Sequence, residues 1–495
     1  MRMTHAAGRM FTILLLIVSS VSGAQQPAGV ILKDTKWATP WYVITGDKPG
    51  PTVMIIGGAH GNEPAGAYAA EEIRTWRIAK GKLIILPRAN VPGLDANTRF
   101  LPDAPAEVRD LNRNYPRKAD DQPHGELANA IWALVKDAKP DWLIDLHEGY
   151  DFHQLNNDSV GSSIIHFNTP DVTPLVDGML ARVNKAIEDP KRQLIALRAS
   201  GPVDGSLARA ATKQLKIPAM ILETTSKDQR LPVRARQHRI MVHHLLSHLD
   251  MAKDGPHQLA PAASKQALRV ALFDDGGVGG SGIPKLEAIL SKAGAVVRRI
   301  DGEDVRQGVI AQFDVAIFSG GSGSAQAKSL GEDGRKQVSD YVNGGGGYVG
   351  ICAGAYLATT GYEWSLKIVD ARTLHKGKEW LRGRGEVQMK ITVEGRAILG
   401  DVTGVLPVIY ANGPIVGPAM LDAIPDFKPL ATFETELAEN GTPKGLMVHT
   451  PAILAGEFGK GRAVAISPHP EQSADLEAMT LRLIEWAAGR AKPIR

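Results

Sequence analysis

The stretch IIGGAHGNEPAGAYAAEEI, residues 55–73, passes from an apolar run through a glycine-containing loop into a helical pattern. A buried strand that ends in glycines and leads into a helix is typical of an α/β fold. His60 and Glu63 lie in the loop, and their i, i+3 spacing lets both side chains converge on one point. Such a pair alone is more often structural, and it predicts a metal site only if a third ligand follows.

The same alternation of apolar strands and helical segments runs through most of the chain. Residues 27–250 contain strand patterns such as PTVMIIGG and PDWLIDLH and helical patterns such as ELANAIWALVKDA. The periodicity is lost over 251–267, where Pro, Ala and Ser accumulate, and it resumes over 268–495. We therefore expect an α/β protein of two different domains joined by a linker, the first with a mixed sheet flanked by helices.

Composition and charge exclude some classes of protein. The 495 residues are 43% hydrophobic and 22% charged, as in ordinary globular proteins, and they are too many for one typical core. The formal net charge is only +4 and there is no basic run, so we expect no nucleic-acid partner. With Cys352 as the one cysteine, no intramolecular disulfide can form, and stability must come from packing.

The first 24 residues are typical of a secretory signal. Arg2 and Arg9 precede the apolar run 11–18, and small residues follow up to Ala24. The alternative is an uncleaved anchor, but the run is shorter than the roughly 20 residues needed to span a bilayer. We expect cleavage after Ala24, which removes the two arginines and lowers the formal charge from +4 to +2. The mature protein is then secreted or periplasmic, with no membrane span.

A later strand end supplies the third ligand. PDWLIDLHEG presents His147 where a buried strand emerges, and neighbouring strand ends form the usual crevice of an open α/β sheet. Catalytic zinc usually takes three protein ligands, so His60, Glu63 and His147 predict one Zn²⁺ per chain. His153 competes for the third place, but it lies beyond the glycine turn rather than at the strand end.

Three further segments carry the polar groups that a zinc hydrolase needs. DLNRNYP places Asn112 beside Arg113, an amide and a guanidinium suited to a carboxylate, and NTRF supplies Arg99. AMILETTS presents Glu223 at the end of another strand. There a carboxylate can take a proton from the attacking water and pass it to the leaving nitrogen.

The segment of roughly residues 30–250 resembles the zinc carboxypeptidases, most closely the succinylglutamate desuccinylase/aspartoacylase branch. The resemblance rests on five motifs that occur in the same order: HGNE, TRF, DLNRN, DLH and ETT. The resemblance implies a role for each residue: zinc binding for His60, Glu63 and His147, general base for Glu223, stabilisation of the carbonyl oxygen for Arg99, and binding of the substrate carboxylate for Asn112 and Arg113.

Two assignments within this resemblance stay open. The segment between Arg99 and Asn112 is longer than the compact spacing expected of the deacylases, so Arg109 is a second candidate for the arginine. The substrate-contacting tyrosine of the family is not assigned, and Tyr115 and Tyr150 are both candidates.

A second constellation centres on Cys352. Residues 344–360, GGGGYVGICAGAYLATT, predict a strand, a sharp turn and a helix, with the cysteine at the turn as in a nucleophile elbow. His469 and Glu471 follow another strand in AVAISPHPEQS, so a Cys-His-Glu triad is expected. The glycines of FSGGSGS, 318–324, could offer N–H groups to an oxyanion.

Through GICAG and HPE the second domain resembles the class I glutamine amidotransferases, over roughly residues 268–490. VIYANGP, 408–414, resembles their variant, the biotin protein ligase N-terminal domain. The resemblance implies a flavodoxin-like sheet. Members of this fold include hydrolases and proteins with no shown activity, so an inert, buried Cys352 is an equal alternative to an active one.

These patterns together predict an exported zinc hydrolase that cleaves an amide bond beside a free carboxylate, as a carboxypeptidase or an N-acyl-amino-acid deacylase. Its expected substrates are small peptides or N-acyl amino acids. Two alternatives stay open: a Cys352-dependent thiol amidase resembling glutaminases, and a non-catalytic protein that binds peptides or cell wall. The sequence sets neither the oligomeric state nor whether the two domains share a substrate.

Overall fold

The computed structural model describes residues 26–197, 200–262, 267–400, 402–473 and 475–490. The secretory signal predicted for residues 1–24 lies outside these described residues. Within them, no helix is both long enough and apolar enough to cross a membrane.

Eight strands form the first sheet: β1 (Gly29–Ile31), β2 (Thr39–Thr45), β3 (Lys48–Gly57), β4 (Lys80–Leu86), β5 (Trp142–Gly149), β6 (Ser163–His166), β7 (Ile195–Leu197) and β8 (Ala219–Thr225). Their order is β1-β2-β4-β3-β5-β8-β6-β7. The central strands β4, β3, β5 and β8 are parallel, so their carboxyl ends meet at one edge. The pairs β1–β2, β2–β4 and β6–β8 are antiparallel, which makes the sheet mixed, as predicted.

Helices cover both faces of this sheet: α1 (Pro64–Ile73), α2 (Val91–Asp95), α3 (Glu126–Ala138), α4 (Thr173–Val183), α5 (Leu207–Gln214) and α6 (Leu231–His248). Alternate residues of a strand point to opposite faces. Accordingly, Val53 and Ile55 of β3 pack with α1, α4 and α6, whereas Met54 and Ile56 pack with α3 and α5.

The second sheet has nine strands: β9 (Arg269–Phe273), β10 (Val296–Ile300), β11 (Val315–Phe318), β12 (Gly347–Ile351), β14 (Arg384–Ile391), β15 (Val405–Ala411), β17 (Lys428–Phe433), β18 (Pro451–Phe458) and β19 (Gly461–Ile466). A separate pair contains β13 (Ala371–Thr373) and β16 (Val416–Pro418). The helices are α7 (Gly282–Lys292), α8 (Gly302–Arg306), α9 (Gly323–Asn343), α10 (Ala353–Ala358), α11 (Val393–Leu399) and α12 (Glu477–Ala487).

The strand order of the second sheet is β10-β9-β11-β12-β19-β18-β17-β14-β15. The first five of these strands are parallel, and numbered along the chain their order is 2-1-3-4-5, that of flavodoxin-like sheets. The other four are antiparallel and extend the sheet on one side. The prediction of an α/β protein with two sheets is thus confirmed.

The segment predicted as a linker, 251–267, is packed where the structure describes it. Ala252 forms a bridge with Ile78 at the edge of the first domain. Leu259 and Ala260 are fully buried in the core around the second sheet. The bounds of the two domains stay predictions, but the part of the segment before residue 263 ties the two cores together.

Helix α6 also connects the two halves of the molecule through buried ion pairs. Arg239 is fully buried and contacts Glu72 of α1 together with Asp304 of α8, whose Oδ1 lies 2.8 Å from Nη2. Arg236 Nε donates to Asp301 Oδ2 at 2.9 Å. Because an unpaired charge is costly to bury, these contacts favour one arrangement of the two domains.

Candidate metal centre and cysteine site

Two neighbouring parallel strands, β3 and β5, bring the predicted metal ligands together. β3 ends at Gly57, and the following loop carries His60 and Glu63 up to α1, which begins at Pro64, a residue favoured at the first helical position. β5 carries His147 at its carboxyl end. Within the described ranges, His60, Glu63 and His147 form the one group of three such side chains whose donor atoms lie within 4.8 Å of one another.

Glu63 lies between the two histidines. Its Oε1 is 2.8 Å from His60 Nδ1 and its Oε2 is 2.9 Å from His147 Nδ1, and all three residues are buried. Burial opposes ionisation of Glu63, but the two imidazoles outweigh it and lower its pKa. The Nδ1 atoms of both rings therefore point towards a common centre, as ligands of one ion must.

The outer nitrogens of both rings meet carboxylates that the sequence analysis did not single out. His60 Nε2 lies 3.0 Å from Asp110 Oδ1, and His147 Nε2 lies 3.0 Å from Asp145 Oδ2. Carboxylates in this position fix the orientation of metal-binding histidines. Asp145 carried a signal in the sequence: it is a charged residue in a buried strand, two positions before His147 and therefore on the same face.

Glu223 on β8 faces the same site. It pairs in register with His147, and its Oε2 is buried without a hydrogen-bond partner among the described residues. Burial raises the pKa of Glu223 to about 8, an effect opposed by His147 and reinforced by the nearby charges of Glu63 and Asp145. A carboxyl group of this kind is suited to accept and release a proton near neutral pH.

A cavity of about 1040 Å³ opens from the metal ligands and Glu223. Arg99 and Arg113 both line it, and Arg99 Nη1 donates to Glu63 Oε1 at 2.8 Å. Asn112 lines it as well, but its side chain is buried: Nδ2 lies 3.2 Å from His147 Nε2, and Oδ1 accepts from the Leu207 N–H. Both guanidinium groups are therefore placed to meet a substrate.

The alternative site residues named from the sequence differ in whether they line the cavity. Arg109 is exposed and stacks on the Phe100 ring at 4.3 Å instead of lining the cavity. Tyr115 is buried, whereas Tyr150 lines the cavity and is 59% exposed. His153 Nδ1 lies 2.6 Å from a backbone carbonyl, that of Ser159, outside the cluster of three ligands.

The second predicted site is also assembled by strand ends. Cys352 follows β12 and precedes α10 with a φ of +51°, a left-handed conformation that is strained for a residue other than glycine. His469 follows β19, and its Nδ1 lies 2.8 Å from Glu471 Oε1. Burial lowers the pKa of His469, but hydrogen bonds with Cys352 and Glu471 outweigh it and raise this pKa to about 10.

Gly320 allows its backbone to lie close to the His469 ring in this second site. A Cβ on Gly320 would lie 2.7 Å from His469 Cε1, closer than carbon atoms tolerate. Gly320 and Gly321, from the segment predicted to stabilise an oxyanion, line a cavity of about 150 Å³ with Cys352 and His469.

Comparisons with known proteins match each half of the chain to a different family. Residues 49–156 match the succinylglutamate desuccinylase/aspartoacylase catalytic domain, and residues 285–485 match the biotin-protein ligase N-terminal domain. Both matches fall where the motifs predicted them, so the two resemblances are confirmed. The candidate metal ligands lie within the first match, Glu223 lies beyond it, and the candidate triad lies within the second.

Among curated proteins, the N-alpha-acetyl-L-2,4-diaminobutyric acid deacetylase of Halomonas elongata is 31% identical over 103 residues, which are 20% of this chain and 29% of the deacetylase. Among solved structures, apo Csd4, a cell shape determinant protein of Helicobacter pylori, is 17% identical with a TM-score of 0.39, covering 48% of this chain and 66% of Csd4. A succinylglutamate desuccinylase/aspartoacylase of Rhodobacter sphaeroides is 18% identical with a TM-score of 0.31, covering 45% and 62%. The chain therefore spans less than a third of the deacetylase and about two thirds of each solved structure.

Proposed function

We propose that this protein is a zinc-dependent hydrolase that cleaves an amide bond next to a free carboxylate. The observation that carries the proposal is the convergence of His60, Glu63 and His147 at the floor of a cavity that Glu223 also faces. The substrates are small peptides or N-acyl amino acids. The name of the Halomonas elongata deacetylase describes removal of an acyl group from an amino-acid nitrogen, which belongs to the same class of reaction.

The donor set suits zinc. Two imidazole nitrogens and one carboxylate are a usual three-ligand set for catalytic zinc, which keeps a further position for water or substrate. Asp110 and Asp145 behind the two rings hold the inner nitrogens towards the centre, as expected of ligands. Bound there, zinc would supply Lewis acidity towards the scissile carbonyl and activate the attacking water.

The protein's own side chains would carry the remaining steps. Glu223 takes the proton from the attacking water and delivers it to the leaving nitrogen, which its raised pKa permits. Arg99 Nη1 donates to Glu63, which places the guanidinium beside the candidate ligands, and its remaining donors would stabilise the oxygen that becomes negative. One N–H of the Arg113 guanidinium donates to the Asn112 carbonyl, and the others would bind a substrate carboxylate. Substrates without a carboxylate are therefore expected to be cleaved slowly.

Export of the mature protein is part of the proposal and rests on residues 1–24 alone. An N-terminus beginning at residue 25, recovered outside the cytoplasm, supports it. A mature chain that keeps residues 1–24 and stays in the cytoplasm contradicts it without touching the proposed chemistry.

Replacing Glu223 by glutamine tests the hydrolase. Zinc content, measured on protein purified without chelator, is expected to stay at one per chain, while kcat on peptides and N-acyl amino acids falls by roughly 10²- to 10⁴-fold. Glu107→Gln, an exposed change of the same kind, serves as the control. A wild-type protein that holds no zinc, and gains no activity when zinc is added, refutes the proposal.

A second candidate function is a thiol amidase at Cys352. The strained backbone of Cys352 and the His469–Glu471 pair beside it favour this function, because nucleophilic cysteines need such a base and orienting carboxylate. Cys352→Ala would abolish this activity and leave the zinc-dependent one intact.

A further inference from the structure

The small cavity around Cys352 lies at the carboxyl ends of β9, β11, β12 and β19. Its lining comes from the loop after β9, with Gly279, and the loop after β11, with Gly320, together with side chains of the neighbouring strands. In a flavodoxin-like sheet this edge, near the point where strand order reverses, is where ligands bind. With a volume of about 150 Å³ it suits a molecule of a few heavy atoms, about the size of a small amino acid.

Arg384 is the one charged residue of this cavity lining with no acidic partner among the described residues. Arg384 and His469 are the ionisable nitrogen groups of the lining, and no carboxylate belongs to it. Glu471 lies behind the imidazole, where its Oε1 contacts His469 Nδ1 and its side chain is buried. The Arg384 guanidinium therefore attracts an anion to this cavity and disfavours a ligand with a free ammonium group.

Arg384 is an exposed arginine that lines the cavity. It begins β14 opposite Ala411 of β15, and the Ala411 carbonyl accepts the thiol hydrogen bond of Cys352 at 3.4 Å. No hydrogen bond or ion pair engages the Arg384 guanidinium within the described part of the chain. Arg382, two residues earlier, is fully buried and paired with Glu436 at 2.9 Å, which is the usual state of a structural arginine.

We propose that the Cys352 cavity binds small carboxylates that lack a free ammonium group, with Arg384 holding the carboxylate beside the thiol. Monoamides of dicarboxylic acids are the substrate class that fits. This inference rests on the second candidate function, the thiol amidase, and it sets the substrate apart from free amino acids.

The implied reaction is balanced. The Cys352 sulfur bonds to the amide carbon, the carbon–nitrogen bond breaks, and the proton held between Cys352 and His469 leaves with the amine. Water then cleaves the thioester, which releases the second carboxylate and returns a proton to the thiol through His469. No oxidant or further reactant is needed.

Alkylation of the thiol tests the inference, because Cys352 is the one cysteine of the chain and intact mass of a Cys352→Ala variant corrects for alkylation at other residues. The rate constants for iodoacetate, which carries a carboxylate, and for neutral iodoacetamide are measured on the full chain. Their ratio is expected to fall about tenfold in Arg384→Gln, to recover in part in Arg384→Lys, and to stay unchanged in Arg372→Gln, an exposed arginine outside the cavity.

Protection against iodoacetamide gives a second readout. Glutarate monoamide and glutamine differ only in the ammonium group, and the first is expected to protect Cys352 at about tenfold lower concentration. An iodoacetate-to-iodoacetamide ratio that is the same in Arg384→Gln as in the wild type, or equal protection by both compounds, overturns the inference.

Labelling by iodoacetamide distinguishes failure of this inference from failure of the thiol amidase on which it rests. If iodoacetamide modifies native Cys352 no faster than it modifies the urea-unfolded chain, the thiol amidase fails, and this inference fails with it. If native Cys352 is labelled faster than the unfolded chain but the iodoacetate-to-iodoacetamide ratio is unchanged in Arg384→Gln, only the inference about Arg384 fails.

Discussion

Two arginines of the segment after α2 differ in what their guanidinium groups contact. Arg99 donates to Glu63 and lines the large cavity, whereas Arg109 covers the Phe100 ring and faces solvent. A side chain can stabilise a developing negative charge only if its donors reach the reacting oxygen. This contrast favours Arg99 over Arg109 as the proposed catalytic arginine, a choice that spacing in the sequence could not make.

Arg99→Gln and Arg109→Gln form a matched pair of variants. Loss of one oxyanion donor typically costs about 10²- to 10³-fold in kcat, which is expected for Arg99→Gln, while Arg109→Gln stays within about twofold of the wild type. Steady-state kinetics on an N-acyl amino acid measure both. The assignment is wrong if the two variants lose activity equally, or if only Arg109→Gln does.

The candidate metal ligands were predictable from the sequence because each lies near the end of an apolar strand or in the short loop that follows it, where few polar residues occur. His60, Glu63, His147 and Glu223 all have that signature. Asp110 was missed because no apolar strand directly precedes it, and what connects it to His60 is a contact between segments 50 residues apart. Such contacts depend on the tertiary fold, and one sequence does not encode their distances in any local pattern.

At the scale of elements, the loop between β3 and α1 is pressed against α2. A Cβ placed on Gly61 would lie 1.9 Å from the backbone carbon of Gly93, so no other residue fits without moving the loop or α2. His60 precedes Gly61 directly, and a shift of the loop would therefore displace a candidate metal ligand.

Gly61→Ala is expected to lower both stability and zinc affinity. Overpacking typically costs about 1–3 kcal/mol, and displacement of His60 weakens binding in addition. Gly255→Ala is the control, because a Cβ there meets no atom within 4 Å. Thermal unfolding with and without zinc measures both effects. Equal melting temperatures and equal zinc affinities for the two variants would contradict this account of the loop.

The order of strands was less accessible to sequence analysis than the strands themselves. β3, β5 and β8 were each recognisable as apolar runs, and the alternation with helices predicted the α/β class. The antiparallel half of the second sheet was not anticipated, because β14, β15 and β17 are partly exposed, β14 and β17 carry charged residues among their apolar ones, and β15 contains a proline. Their pairing is set by contacts across the sheet rather than by a local pattern.

At the scale of the whole molecule, the segment between α6 and β9 brings His257 against the charged contacts that join the two domains. Burial, followed by the positive charges of Arg239 and Arg236, lowers the pKa of His257 to about 4, and Glu303 and Asp301 oppose this only in part. In the unfolded chain an ordinary histidine titrates near 6.5. The two states therefore differ in protonation between these values.

Because the native pKa lies below the unfolded one, the unfolded chain binds the proton first as the pH falls from about 6.5 to 4, and the native state loses stability over that window. Above 6.5 the contribution of His257 is fully present. His257→Gln removes it, so the stability difference between wild type and variant should change by on the order of 1 kcal/mol between pH 7.5 and 4.5, after allowance for solvent screening of a partly exposed ring. Urea unfolding at both pH values measures this difference. The other titrating groups contribute equally to wild type and variant, so their effect cancels. His124→Gln, at an exposed position, is the control. A difference in unfolding free energy that is the same at both pH values would mean that the charges joining the two domains do not lower the pKa of His257.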